Sequence, residues 1–143
     1  MAINSRNIND LTPVVANKCR QWLTACHDAG LSVQVISTYR DYAEQGRLYA
    51  QGRTTPGKIV TNAKPGYSYH NFKVAWDFVV LVDGKAHWSD DTGLYTKAGE
   101  IAESIGIEWA GRWHSFKETG HLQVTGGKQL EDYRIDEAGK HER

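Results

Sequence analysis

Apolar residues recur along this chain with a helical period in some segments and with a strand period in others. Apolar positions three and four residues apart predict amphipathic helices, whereas alternation or a short apolar run predicts a strand. Helices are predicted over residues 12–29, 41–51 and 94–105, and strands over residues 32–37, 74–82, 85–88, 107–109 and 121–124. Helices and hairpin-forming strands in this order are typical of an α+β fold with a small, largely antiparallel sheet and flanking helices.

Two segments show neither period. Residues 52–69 are rich in Gly, Pro, Thr and Lys, and they form a longer loop than the ~12–15 residues that compact domains usually allow without a functional reason. From residue 127 to residue 143 the chain is polar with few apolar anchors, which predicts either a loose helix or a frayed tail. No repeat or linker divides the chain, so we expect a single domain over residues 1–143.

Composition narrows the possible partners. The formal net charge of the 143 residues is zero, with 24% charged and 40% hydrophobic residues. Because nucleic-acid-binding domains usually have a strong basic excess, we expect no nucleic acid partner. No segment approaches the ~20 consecutive apolar residues of a membrane helix, so we also expect no stable membrane association. The first residues lack the apolar core of a secretory signal, so a substrate outside the cell requires another protein to carry this one across the membrane.

The two cysteines, Cys19 and Cys26, lie within the first predicted helix. At roughly 1.5 Å of rise per residue they are too far apart along the helix axis for a disulfide. We therefore expect two free, buried thiols in a protein that folds in a reducing compartment.

Asp77 is the most unusual polar residue in the pattern, since it lies inside an apolar strand between Trp76 and Phe78. A buried carboxylate is costly unless it accepts hydrogen bonds or binds a metal, and both interpretations stay open at this point. His70 precedes it by seven residues, at the end of the long loop. Both side chains can reach one metal ion only if the chain turns back over residues 71–73.

Glu118 and His121 add a second pair of chemically active groups, separated by a glycine that permits a tight turn. Zinc hydrolases need three protein ligands, one open position for water, and a carboxylate close to that water. The two histidines, Asp77 and Glu118 together provide such a set. The alternative for Glu118 is an ordinary solvated surface charge. Arg40 follows a predicted strand, where it either polarises a scissile carbonyl group or binds a substrate carboxylate. The alternative is an ordinary surface or ion-pair residue.

These residues resemble a known family. The segment Ser-Tyr-His-Asn-Phe-Lys-Val-Ala-Trp-Asp at residues 68–77 resembles the Ser-x-His-x-x-Gly-x-Ala-x-Asp signature of the zinc D,D-/L,D-peptidases. That family includes VanX- and VanY-type enzymes and phage L-alanyl-D-glutamate endopeptidases. Glu118 and His121 have the spacing of its second motif. Residues 37–40 with Gln45 are similar to the family's segment upstream of the first motif. Residues 109–113, ahead of Phe116, are similar to the segment that precedes the second motif.

The resemblance implies a role for each of these residues. It implies that Glu118 is the catalytic base, that Arg40 stabilises the developing oxyanion, and that one zinc ion is bound by His70, Asp77 and His121. The implied fold is a single domain of the hedgehog and D,D-peptidase type.

The resemblance also provides candidates for substrate binding. It implies that Ser68 helps to hold the substrate, and Gln45 belongs to the same group. Trp109 and Trp113 are candidates for lining the cleft and are equally good candidates for plain core aromatics.

Lys73 is a departure from the family, which usually has glycine at this position. Its side chain lies in the bend between two of the implied ligands. Either Lys73 points to solvent while the backbone keeps its course, or it strains and reshapes the site. We expect metal binding to survive, because all of the implied ligands are present.

The implied function is hydrolysis of the peptide stems of peptidoglycan, most closely as a phage L-alanyl-D-glutamate endopeptidase that acts as an endolysin. Such a monomeric enzyme accumulates in the host cytoplasm and reaches the cell wall after release through a holin. One alternative is a D-alanyl-D-alanine carboxypeptidase or dipeptidase of bacterial wall metabolism. Two others are a catalytically inactive wall- or metal-binding module and a structural component of a phage tail.

Overall fold

The computed structural model describes residues 2–115 and 117–141. Its helices are α1 (Pro13–Asp28), α2 (Tyr42–Ala50), α3 (Leu94–Ser104) and α4 (Leu130–His141). Its strands are β1 (Val33–Ser37), β2 (Ala75–Val82), β3 (Lys85–His87), β4 (Glu108–Trp109) and β5 (His121–Gln123). Short 3₁₀ turns occupy Ile8–Asp10, Tyr69–Phe72 and Ala110–Arg112. Within the described ranges, no helix has the length and hydropathy needed to cross a bilayer.

The strands form one antiparallel sheet, as the sequence pattern predicts. The order is β1-β2-β5-β4, and β3 pairs with β2 as a hairpin. The hairpin turn consists of Asp83 and Gly84, whose φ angles are 52° and 76°. Two successive positive φ values match the twist of antiparallel strands, which is why Asp-Gly is a strong hairpin signal. The central position of β2 explains its apolar residues on both faces.

The predicted helices are present with boundaries close to those expected. Proline at the first position begins α1, where its missing N–H costs nothing. The Asp41 side chain accepts a hydrogen bond from Glu44 N at 2.8 Å and thereby caps α2. These local signals position α2 directly after β1, so the segment that contains Arg40 is held at both ends.

The core lies between α1, α3 and one face of the sheet. Trp22 is fully buried, its ring centroid is 4.9 Å from that of Phe78, and its indole N–H donates to Ala98 O at 3.0 Å. Cys19 and Cys26 are buried free thiols. Burial raises the pKa of Cys19 to about 12 and that of Cys26 to about 11, so both thiols stay protonated and unreactive.

The polar tail contains a helix that packs against the domain. The ring of Tyr133 stacks on Phe72 with centroids 5.3 Å apart, and it meets Tyr69 edge-on at 6.1 Å. Arg134 donates through Nη1 to Gly66 O at 2.8 Å. Of the two predicted alternatives, the helix is therefore the one present, and α4 is docked against residues 66–72.

Residues 52–69 form a loop, as predicted. The loop is tied together internally, because Arg53 Nη1 donates to Thr61 O at 3.0 Å and Gln51 Nε2 donates to Lys58 O at 3.0 Å. It leads directly into the 3₁₀ turn that contains His70.

Candidate metal centre

A tight turn brings His70 back toward β2. Ser68 begins this turn, and its Oγ accepts from the backbone N–H of His70 at 3.3 Å. Asn71 Oδ1 accepts from the backbone N–H of Ser68 at 3.4 Å, so the two side chains cap the turn reciprocally. Lys73 ends the turn, and the bend that the sequence requires between the two motif residues is thus formed. Ser68 therefore has a structural function in addition to its predicted substrate role.

Lys73 adopts a left-handed conformation, with φ 66° and ψ 31°. Glycine adopts this conformation freely, whereas other residues pay about 1 kcal/mol, which explains the usual family preference. The exposed side chain of Lys73 lies with Nζ 4.8 Å from the ring centroid of Tyr39, and its carbonyl accepts from Thr12 N at 3.0 Å. The ammonium group therefore lies over the ring of Tyr39.

His70, Asp77 and His121 converge on one point. Asp77 and His121 are directly paired residues on β2 and β5. Asp77 Oδ1 lies 3.1 Å from His70 Nε2 and 3.0 Å from His121 Nδ1. One ligand atom from each residue lies within 4.8 Å of the other two. The structure therefore brings the three predicted ligands together.

The outer nitrogen of each histidine is held by an acceptor. His70 Nδ1 donates to Thr38 O at 2.8 Å, and His121 Nε2 donates to the buried Gln123 Oε1 at 2.8 Å. When the imidazoles are neutral, the nitrogens that face Asp77 therefore have lone pairs rather than protons. Two lone pairs and a carboxylate oxygen that face one another require a shared cation. Two imidazoles and one carboxylate are a usual ligand set of catalytic zinc, so the residues fit this metal.

The pKa values of Asp77 and His121 also indicate that the cluster favours a bound positive charge. Burial alone would raise the pKa of Asp77, but the charge of His70 and hydrogen bonds from His121 and His70 hold it well below its usual range. Burial alone would lower the pKa of His121, but the hydrogen bond and charge of Asp77 outweigh burial and raise it above the ordinary 6.5. Without a metal ion, the cluster therefore binds a proton more readily than an isolated histidine does.

Arg40 lies beside the cluster, with Nη2 3.9 Å from Asp77 Oδ2. Its Nη1 donates to Gln45 Oε1 at 2.9 Å, and Gln45 Nε2 donates to Ala63 O at 2.7 Å. Gln45 is fully buried and uses both ends of its amide. It therefore orients Arg40 and ties it to the long loop, and its contact with substrate stays a prediction.

Glu118 lies on the open side of the cluster. Its side chain is 61% exposed, and Oε2 is 3.9 Å from His121 Nδ1. The backbone N–H of Glu118 donates to Ala110 O at 3.2 Å and anchors the segment. A carboxylate at this distance from a ligand nitrogen can reach a water molecule next to the metal position.

The two candidate tryptophans have different environments. Trp109 is 5% exposed, and its ring lies against the backbones of Gly99 and Gly111, where an added Cβ would be 2.1 and 2.2 Å from the indole. It is a core residue and does not line the cleft; its N–H donates to Thr119 O at 2.9 Å and holds the residue after Glu118. Trp113 is half-buried, with its ring centroid 5.7 Å from that of His121. Phe116 lies outside the described residues.

Trp88 is a cleft residue that the sequence does not reveal. It is 70% exposed and lines a cavity of about 210 Å³ beside the metal cluster. The other lining residues are Ile36, Asp77, Phe78, Tyr95, Glu118, Thr119 and Gly120. In the sequence Trp88 follows the short strand β3 and has polar neighbours. Many surface tryptophans have such neighbours, so this context does not indicate a cleft residue. Its position in the same cavity as Glu118 depends on the tertiary fold.

Comparison with known proteins decides the family. Residues 8–115 match the family model VanY, described as D-alanyl-D-alanine carboxypeptidase. The chain belongs to this family. The match includes His70 and Asp77 and ends before Glu118 and His121, and it confirms the resemblance found in the sequence. A metal site on a D,D-peptidase-like fold is thus expected on family grounds as well as from geometry.

Two curated relatives of this chain are described as peptidases for the L-alanyl-D-glutamate bond. The chain is 36% identical over 124 residues to the peptidoglycan L-alanyl-D-glutamate endopeptidase CwlK of Bacillus subtilis (strain 168), covering 81% of this chain and 74% of that protein. It is 28% identical over 141 residues to the L-alanyl-D-glutamate peptidase of Listeria phage A118, covering 96% of this chain and 43% of that protein.

Solved structures show the same fold. The Serratia marcescens L-Ala D-Glu endopeptidase ChiX aligns with a TM-score of 0.62 at 21% identity over 92% of both chains. The vancomycin resistance D,D-pentapeptidase VanY, as an E175A mutant in complex with Zn(II), aligns with a TM-score of 0.61 at 14% identity, over 94% of this chain and 90% of that one. The predicted α+β fold is confirmed.

Proposed function

We propose that this chain is a zinc-dependent peptidase that hydrolyses the L-alanyl-D-glutamate bond of peptidoglycan stem peptides. The observation that supports this most directly is the convergence of His70 Nε2, Asp77 Oδ1 and His121 Nδ1 within 4.8 Å, with Glu118 on the open side. The VanY family and the two relatives supply the substrate class.

The proposed metal ligands are His70 through Nε2, His121 through Nδ1, and Asp77 through its carboxylate. A zinc ion at this position supplies Lewis-acid chemistry, which polarises a carbonyl group and allows a water molecule to lose a proton near neutral pH. Zinc suits a site of two imidazoles and one carboxylate better than Mg²⁺ or Ca²⁺, which prefer oxygen ligands alone.

The remaining steps of the proposed mechanism depend on protein groups. Glu118 accepts the proton of the attacking water and returns it to the leaving amine, for which its exposed position and its 3.9 Å distance from His121 Nδ1 are suitable. Arg40 is held rigidly by Gln45, and its positive charge beside Asp77 stabilises the oxyanion that forms on the scissile carbonyl.

The cleft around these groups suits a small peptide. Trp88 lies on its wall and Trp113 lies beside His121, and we assign to both contacts with the substrate chain. A cavity of about 210 Å³ has room for about one small residue beside Glu118. A second candidate function is D-alanyl-D-alanine carboxypeptidase activity, which the description of the matching family model favours.

We further propose that the protein acts as a monomeric endolysin, held in the host cytoplasm until a holin admits it to the wall. The phage relative supports this role. Expression in a host with and without a holin tests it: lysis only in the presence of the holin is expected, and lysis without one contradicts the proposed route.

Digestion of purified sacculi tests the peptidase function. Mass spectrometry of the products should show new N-terminal glutamate, and a chelator should abolish the products until zinc is restored. Released D-alanine instead would establish the carboxypeptidase. Uncut sacculi, with zinc bound, would establish an inactive binding module.

A further inference from the structure

His121 is oriented by a buried amide. Its Nε2 donates to Gln123 Oε1 at 2.8 Å, and the two residues are 6% and 3% exposed. They are neighbours on the same face of β5, since side chains two positions apart in a strand point the same way. Because the oxygen of the amide faces His121, the proton of a neutral imidazole is held on Nε2 and the lone pair stays on Nδ1.

An amide can turn over and present its NH₂ group with almost no change of shape, so the orientation of Gln123 needs its own cause. Glu108 provides one. It is the direct partner of Gln123 across β4 and β5, and its Oε1 accepts from Gln123 Nε2 at 3.4 Å. A carboxylate has no proton to donate, so only the NH₂ end of the amide can face it.

Glu108 is itself held in position by Thr125. Its Oε2 accepts from the backbone N–H of Thr125 at 2.8 Å and from Thr125 Oγ at 2.8 Å. Thr125 is 6% exposed, so these bonds fix the carboxylate at the edge of the sheet although Glu108 itself is exposed. A chain of contacts therefore connects Thr125, Glu108, Gln123 and His121.

We propose that Gln123 and Glu108 are positioning residues that hold His121 in the tautomer able to bind the metal through Nδ1. This inference rests on the proposed metal site and extends it to two residues outside the family motifs. If the amide turned over, its NH₂ group would face Nε2, the imidazole proton would move to Nδ1, and the lone pair would point away from Asp77. Groups that orient a metal ligand in this way commonly contribute 10- to 100-fold to affinity.

The first test measures zinc affinity by competition with a chromophoric chelator. Gln123→Leu keeps the size of the side chain and removes both polar ends. It should bind zinc about 10- to 100-fold more weakly, and Glu108→Gln should show a smaller loss because either end of its amide can face Gln123. Gln34→Leu is the matched control, since Gln34 lies exposed on β1 and should leave zinc affinity unchanged.

The second test exchanges the two groups. Gln123→Glu alone places two carboxylates next to each other and should weaken zinc binding. Gln123→Glu combined with Glu108→Gln restores one carboxylate and one amide, with an acceptor still facing His121, and should recover most of the affinity. A purely structural need for these side chains predicts no such recovery.

A third measurement uses the zinc-loaded wild-type protein, so it holds even if a variant fails to fold. Long-range ¹H–¹⁵N spectra should show the proton of His121 on Nε2 and the metal on Nδ1. A proton on Nδ1, or wild-type zinc affinity in folded Gln123→Leu protein, overturns the proposal. Neither readout involves hydrolysis. A protein that shows this tautomer and these zinc affinities but does not cut sacculi would contradict the proposed function alone. If His70→Ala lost zinc binding while Gln123→Leu kept it, the inference alone would be contradicted.

Discussion

Asp77 and His121 face each other across the antiparallel strands β2 and β5, and their side chains meet at 3.0 Å. This pairing is a backbone property, because the register of two strands determines which side chains lie opposite each other. Two of the three proposed ligands therefore approach each other through sheet formation alone. Only His70 requires a special turn.

The first prediction concerns pH. The pKa of His121 is raised by Asp77, so protonation competes with metal binding already as the pH falls through a value above 6.5. In the metal-free protein the charged pair stabilises the fold below pH 6.5, and this contribution is lost as the pH rises through the raised pKa.

Thermal unfolding with and without zinc measures both effects. The stabilisation by zinc should increase as the pH rises from about 6 to about 8, whereas the metal-free protein should lose stability over the same interval. Parallel pH dependences with and without zinc would show that His121 does not bind the metal.

The second prediction concerns Glu118. Glu118→Ala should lower kcat by roughly 10²- to 10⁴-fold, the usual contribution of a general base, and leave zinc content and unfolding temperature unchanged. Its side chain is 61% exposed, so its removal creates no cavity. Glu100→Ala, at an exposed position of α3, is the control. An active Glu118→Ala enzyme would require a different base.

The third prediction concerns Lys73. Lys73→Gly removes the cost of the left-handed conformation but adds chain entropy and loses the contact with Tyr39, so stability should change by less than about 1 kcal/mol. Activity should be at least that of the wild type. Lys73→Val should be destabilised by about 1–2 kcal/mol more than Lys73→Gly, because a β-branched residue is poorly tolerated at φ 66°. Equal stability of the two variants in denaturant titrations would contradict this account.

The fourth prediction concerns Trp88. If its exposed ring contacts the substrate, Trp88→Ala should raise KM about 5- to 30-fold, which corresponds to ~1–2 kcal/mol, with little change in kcat. Trp88→Phe should recover part of the loss, because it keeps an aromatic surface. An unchanged KM for Trp88→Ala in the hydrolysis of stem peptides would remove Trp88 from the substrate site.

Much of the fold can be predicted from the sequence in segments where the apolar residues repeat with a clear helical or strand spacing. The unbroken apolar run of β2 indicates a central strand, because only a strand covered on both faces buries every side chain. The proposed ligands His70 and Asp77 can be recognised from a motif, because the turn between them depends on residues that are adjacent in the chain.

The remaining features depend on contacts between distant residues. Trp109 is the last residue of the short strand β4 and Trp88 directly follows the short strand β3, yet Trp109 is 5% and Trp88 70% exposed. The burial of Trp109 depends on the room left by Gly111, which is close in the sequence, and by Gly99 of α3, which only the tertiary fold brings near. The docking of α4 was likewise hidden, since Tyr133 is a single aromatic in a polar segment and its partner Phe72 lies far away in the sequence.

That docking has a consequence for synthesis on the ribosome. The turn that contains His70 leaves the exit tunnel before α4, whose Tyr133 packs on Phe72 and Tyr69. Since proteins are made from the N-terminus onward, the growing chain exposes these two rings until α4 has emerged. A nascent chain halted before α4 therefore has His70, Asp77 and His121 already translated, but the Tyr133 ring that packs on the turn containing His70 is still missing.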